Sequence, residues 1–305
     1  MSEAHPKRGG SGGRSAPGRG SDYVAPSGLP FRRGSMTWIV NMEPVIALGG
    51  GRALLLQVLH PLVAAGVEQH SNFAQDPFRR GFRTADMMLK LAFGSDEISR
   101  RQSDLLRRMH ERVHGVSSDG VPYSAMDPAL LVWVWTTLVD VSVFVFERAV
   151  RPLTDLERER YYEEQKLVAY ACGVPQNACP ATYRDFVASF ERTVDTELRV
   201  TKTARLVAFA GRHPPLPWPL GPLVGAIGSF FTAAVLPERL RAGLGYTWSP
   251  WRARVLKAFF AASRLAAVLV PRRLREVQNR YLVRRRTPLG WWRNRPIRVP
   301  DELAS

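Results

Sequence analysis

Apolar positions recur at helical spacing through most of the chain, and two-residue alternation is scarce, so the pattern predicts helices rather than strands. Residues 44–67 contain Ala53-Leu54-Leu55-Leu56-Gln57-Val58-Leu59, a run whose length and leucine content favour a buried helix. Pro61 should end or kink it, because proline lacks the backbone donor and its ring clashes with the preceding turn. Gly49-Gly50-Gly51 lacks the Lys-Ser/Thr ending of a phosphate loop and reads as a close approach or tight helix entry. Asp76-Pro77 has the form of a helix start, leading through Arg80, Arg83, Thr84, Met87, Met88 and Leu91 to a stop near Gly94. Ser95 or Asp96 can cap the next helix, expected to run to about His114 before Gly115. Its apolar face is Ile98, Leu105, Met109 and Val113, with His110 and His114 one turn apart on the shoulder beside Leu106.

Residues 117–125 read as a turn-rich link. Asp127-Pro128 repeats the Asp-Pro start before an apolar stretch holding Trp133, Trp135, Val139, Val143, Phe144 and Phe146. Asp140 and Glu147 interrupt it, which suits the central helix of a bundle better than a membrane span. A buried, unpaired carboxylate is costly, so Asp140 is expected to face an arginine. Leu153-Thr154-Asp155 opens a helix through Tyr161, Tyr162 and Leu167 to Gly173. Thr182 precedes another through Phe190 and Val194. Residues 213–237 contain no Asp, Glu, Lys or Arg and are expected to pack internally rather than form an apolar surface. Residues 248–270 form a last amphipathic helical region. The expectation is an all-α protein with a single large helical domain, residues 31–270. It is preceded by a flexible Gly/Ser/Arg-rich arm, residues 1–30, and followed by an arginine-rich extension, residues 271–305.

Composition adds limits. A chain of 305 residues, 45% apolar, can bury a large core. Its two cysteines, Cys172 and Cys179, are too few for a disulfide-stapled fold and suit a reduced compartment. Much of the net charge of +16 is terminal: residues 271–300 hold ten arginines and one glutamate. That suggests anionic partners for the ends. No zinc finger, RNA-binding module or recognition helix accompanies the arginines, so nucleic acid is not the expected partner. No secretory signal is visible, giving a cytoplasmic expectation with peripheral membrane contact left open.

Histidines carry the candidate chemistry. His60, His110 and His114 could contribute to a nitrogen-rich metal site, and His110-Glu111-Arg112-Val113-His114 matches the H-E-x-x-H zinc pattern. A zinc hydrolase would use Glu111 to activate water and would need a third ligand. The plain alternative is a hydrogen-bonded histidine on a helix shoulder.

A longer set of residues resembles the DUF2236, or MpaB-like, family of rubber-oxygenase catalytic domains, which includes the latex-clearing proteins. The matching pieces are Arg52-x-Leu54-Leu55-x-Gln57-x-x-His60-Pro61, His70-Ser71-x-Phe73, Pro77-x-x-Arg80-x-x-x-Thr84 and Phe93-Gly94. They continue with His110-x-x-Val113-x-Gly115, Tyr123-x-Ala125-x-Asp127-Pro128, Trp133-Val134 and Pro152-Leu153-Thr154. Tyr162-x-Glu164, Gly173-Val174-Pro175 and Pro180-x-Thr182-Tyr183 complete the series, over roughly residues 41–195. The resemblance implies a helical heme b oxygenase with a heme pocket between helices and His110 as proximal iron ligand. It places Arg80 and Thr84 on the distal side. Arg83 stands where latex-clearing proteins carry a distal lysine; its guanidinium stays protonated and is not a neutral axial ligand, leaving that position open or water-filled. Gln57, His60, His114 and Tyr123 would be pocket or supporting residues. Dioxygen, an apolar small-molecule substrate and an electron donor are the partners implied. A non-catalytic heme-binding or gas-sensing protein, and a metal-free structural or membrane-associated one, are the competing expectations.

Overall fold

The computed structural model describes residues 31–71, 77–214 and 216–285, with the backbone alone for 77–80 and 82. The described residues are predominantly α-helical. In chain order the helices are α1 (Met36–Asn41), α2 (Gly50–Leu59), α3 (Pro61–His70), α4 (Pro77–Phe93) and α5 (Asp96–Glu111). Next come α6 (Pro128–Ala149), α7 (Asp155–Ala171), α8 (Tyr183–Thr196), α9 (Lys202–Arg212) and α10 (Leu220–Val235). The last are α11 (Glu238–Gly243), α12 (Pro250–Leu269), α13 (Arg272–Arg275) and α14 (Val277–Arg284). A 3₁₀ turn, Pro44–Gly49, leads into α2.

Helix α6 is the axis of the bundle. Asp127 caps it by accepting from the Ala129 N–H at 2.8 Å, and Pro128 occupies its first turn, as the Asp-Pro pattern predicts. Trp133, Trp135, Val139, Val143 and Phe146 are all buried against α2, α7, α8 and their neighbours. Each such side chain contributes roughly 1.5–3 kcal/mol of burial free energy. Its length and apolarity would suffice to cross a membrane, but 67% of its most apolar window is buried inside the protein. It is a core helix. Asp140 has the arginine partner expected of it: Arg52 of α2 donates through Nε at 2.9 Å and pairs through Nη2 at 2.6 Å.

Pro61 separates α2 from α3, and His60 adopts extended backbone between them; the two segments meet at 99°. Gly49 and Gly51 are close-approach positions, because a Cβ there would overlap Val141 and Thr232 respectively. Thr154 and Thr182 start α7 and α8 with reciprocal capping boxes to Glu157 and Asp185. Cys172 and Cys179 are both free thiols.

Three expectations need correction. Helix α5 ends at Glu111, and residues 114–124 form a small antiparallel hairpin, β1 (His114–Val116) with β2 (Pro122–Ser124), rather than a helix end and an irregular link. The α5 face read as core is largely outward: Ile98, Leu105 and Met109 are all exposed. Ser99 and Ser103 are buried instead, their hydroxyls donating to the Leu91 and Ala171 carbonyls. Small side chains let α5 lie close to its neighbours, and that approach outweighs the apolar stripe. Finally, the uncharged stretch before residue 237 packs inward only in part. Thr232, Ala233 and Val235 are buried, while Leu220, Leu223, Val224 and Ile227 face solvent.

The arginine-rich region beyond residue 270 is, as far as residue 285, part of the body. Glu276, 2% exposed, accepts from Trp38 Nε1 at 3.0 Å and forms an ion pair with Arg272, Nε lying 2.8 Å away. Buried Glu43 pairs with Arg275, and Asn279 donates to the Met42 carbonyl at 3.2 Å. Desolvation raises the Glu43 carboxyl above its ordinary range, with Arg275 opposing the rise.

Candidate functional site

Helices α4 and α5 are joined by Gly94 and Ser95 alone and pack against one another as a helical hairpin. Ser95 caps α5, accepting from the Ile98 N–H at 3.4 Å, while Asp96 and Glu97 in its first turn complement the helix dipole. Gly94 is needed for the tight link, since an added Cβ would overlap the Lys90 carbonyl and crowd Ile98. On α4, Lys90 is buried and pairs with Asp86 at 2.8 Å.

This hairpin sets the level of the candidate residues. Counting back from the link at ~1.5 Å per residue, Arg80 on α4 lies level with His110 on α5, and Arg83 and Thr84 lie about one turn nearer the link. His110 is partly buried; Arg83 and Thr84 are exposed. The Arg80 side chain, and Asp76 at the expected helix start, lie outside the described residues. Solvent-facing Leu105 and Met109 share the last turns of α5 with His110. Along the hairpin axis, His110, Arg83, Thr84, Leu105 and Met109 thus fall within about two turns of one another.

His114 sits apart from this group. It is exposed on β1, paired across the hairpin with Ser124, and its carbonyl accepts from His70 Nε2 at 3.0 Å. Because the helix stops at Glu111, the H-E-x-x-H pattern does not hold its two histidines one helical turn apart. Glu111 instead pairs with Arg107 at 3.6 Å. The described residues contain no group of three His, Cys, Asp or Glu side chains able to hold a metal ion.

Tyr123 is buried on β2, and its hydroxyl donates to Gln69 Oε1 at 2.7 Å; Gln69 in turn donates to the Val116 carbonyl at 2.8 Å. Desolvation, with Glu68 adding to it, raises the phenol above its ordinary value. Gly115 makes room for this, because a Cβ there would press on Gln69 Oε1 at 2.7 Å and the Tyr123 hydroxyl at 3.0 Å. Tyr123, Gln69 and His70 thus bind the β-hairpin to α3 and fix the chain just after His110. Neither Gln69 nor this use of His70 was visible in advance, because each bonds a backbone carbonyl more than forty residues away.

Gln57 and His60 lie along the core. Gln57 donates to Thr137 Oγ1 at 2.9 Å, joining α2 to α6. His60, 7% exposed, places Nε2 3.2 Å from Glu197 and stands beside Trp133 with ring centroids 6.4 Å apart. Desolvation lowers its proton affinity, against an opposing pull from Glu197.

A family model described as ER-bound oxygenase mpaB/B'/Rubber oxygenase, catalytic domain, matches residues 37–265. The chain belongs to that family. The match runs from α1 into α12 and so includes the entire α4–α5 hairpin. It supports an oxygenase activity in general. Neither the curated proteins nor the solved structures include one that matches the chain significantly.

By residue type, a heme held along this hairpin would find an imidazole nitrogen in His110, a cation for a propionate in Arg83, and apolar contact in exposed Leu105 and Met109. The two described cavities lie elsewhere, one at the Gly94 end of the hairpin and one beside α12.

Proposed function

We propose that the protein is a heme b-dependent oxygenase of apolar organic molecules, with His110 as the axial ligand. The observation that carries this reading is the hairpin of the matched oxygenase domain, which puts His110 level with Arg80 and within about a turn of Arg83 and Thr84. Heme held there would supply a redox-active iron for dioxygen chemistry. The remaining work falls to the chain. Arg80 and Arg83, three residues apart on α4, neutralise propionate charge or orient a polarised oxygen. The Thr84 hydroxyl, four residues from Arg80, donates or relays a proton at the same place. Leu105 and Met109 offer an apolar surface on which a substrate or the porphyrin edge would rest. Tyr123, Gln69 and Gly115 act through position, holding the segment after His110 so that the imidazole keeps its direction.

The test is absorption spectroscopy with metal analysis on the purified protein. A Soret band and about one iron per chain are expected, with axial coordination lost in His110→Ala. Unchanged heme spectra and stoichiometry in that variant would overturn the ligand. Heme uptake without substrate-dependent oxygen consumption would overturn the oxygenase in favour of a heme-binding protein. Arg83→Ala and Thr84→Ala should keep the heme and lower turnover by about 10²-fold or more if they act on the reacting oxygen.

A further inference from the structure

The link between α4 and α5 borders an open cavity of about 400 Å³. That volume falls within the roughly 300–1,000 Å³ of small-molecule sites. Trp38 and Met42 reach it from α1, Phe93 and Ile98 from either side of the link, and Arg280 and Arg284 from α14. It lies roughly 20 Å along the hairpin from His110, so it is separate from the candidate heme site. Its walls are anchored to the body. Trp38 donates Nε1 to Glu276 and meets Phe93 edge-on with ring centroids 5.3 Å apart, which leaves the indole only carbon surface to offer. Asn279 holds the Met42 carbonyl at 3.2 Å.

The charge on one side of this apolar space is uncompensated. Arg280 and Arg284 stand one turn apart on α14, where like charges repel. Neither pairs with a carboxylate among the described residues, and no acid lines the cavity. Glu276, one turn before Arg280, is taken by Arg272 and Trp38. Asp96 and Glu97 at the start of α5 are exposed and outside the lining. The negative end of the α14 dipole favours Arg284 but not Arg280, which lies in mid-helix. Arg280 donates Nη2 to the Arg273 carbonyl at 3.3 Å, while its Nε is buried with no hydrogen-bond partner. Paired guanidiniums beside an apolar wall select an oxyanion on an apolar body.

We infer that this cavity binds a small amphipathic oxyanion, its carboxylate or phosphate on Arg280 and Arg284 and its apolar body against Trp38, Phe93 and Ile98. Bound there, the ligand ties α14 to the α4–α5 link. The inference rests on the cavity and stands or falls independently of the heme.

Isothermal titration calorimetry of the full chain tests it, with dodecanoate and dodecyl phosphate as probes below their micelle concentrations. Saturable binding of one molecule per chain is expected, and the tighter probe identifies the headgroup. Dodecanol should bind at least about tenfold more weakly, because it brings no charge to the arginines. Arg280→Ala should weaken the anionic probe about tenfold or more. Arg284→Glu should do the same from an exposed position, with unchanged circular dichroism showing the fold intact. His110→Ala should bind as the wild type does. Dodecanol binding as tightly as the anions would overturn the inference, as would acetate or inorganic phosphate matching the long-chain probes. Loss of binding in His110→Ala with retention in both arginine variants would place the ligand elsewhere and overturn it too.

Discussion

Arg52 and Asp140 illustrate how a single buried charge constrains its surroundings. Arg52 is 8% exposed and also donates to the Val235 carbonyl and stacks over Phe144 at 4.7 Å. Burial raises the Asp140 carboxyl, and Arg52 is the main force holding it down. Arg52→Ala should therefore cost about 3–5 kcal/mol in urea unfolding, because it strands a carboxylate. Replacing both partners by apolar residues should restore most of that loss. His60 gives a pH dependence with a definite sign. Its proton affinity is lowered in the folded state, so between the folded value and the ordinary 6.5 the unfolded chain binds more protons. Stability contributed by neutral His60 is thus present above about 6.5 and lost as pH falls below it. His60→Gln should flatten the acid side of a plot of unfolding free energy against pH; an unchanged slope would show that other groups govern it.

At the scale of elements, the chain announces most of its helices and conceals the site's surroundings. Helix starts were legible because capping is local: Asp127, Thr154 and Thr182 each bond an N–H two or three residues ahead. Pro61 was legible for the same reason. The α5 face was not, because burial there was decided by packing of Ser99 and Ser103 against carbonyls of α4 and α7, which no periodicity records. The β-hairpin escaped notice because strands of three residues are too short for alternation to show. His110, Arg83 and Thr84 could be named from the resemblance, and the short link at Gly94 and Ser95 could be read from its glycine and cap. The packing of α4 on α5 is displayed only by the fold. Gly94 controls that link. Gly94→Val should destabilise the protein by about 1–3 kcal/mol, through overlap with the Lys90 carbonyl, and lower heme occupancy in parallel. Loss of stability with full occupancy would separate the hairpin from the cofactor.

The molecule as a whole is closed by its last described helices. Glu276 and Arg275 meet Trp38 and Glu43, so elements more than two hundred residues apart share one polar seam. Arg272 adds to it by donating to the Trp38 carbonyl at 3.2 Å. A chain ending at residue 271 should melt several degrees lower, because it would lose the Glu276 and Arg275 contacts to Trp38 and Glu43 and the Asn279 bond to the Met42 carbonyl. Glu276→Gln should reproduce part of that fall, measured by thermal unfolding. The seam also has a meaning for the order of synthesis. The opening helix emerges from the ribosome long before the arginines that neutralise its neighbour have been translated, so the earliest part of the fold must wait, unlatched, for nearly the latest.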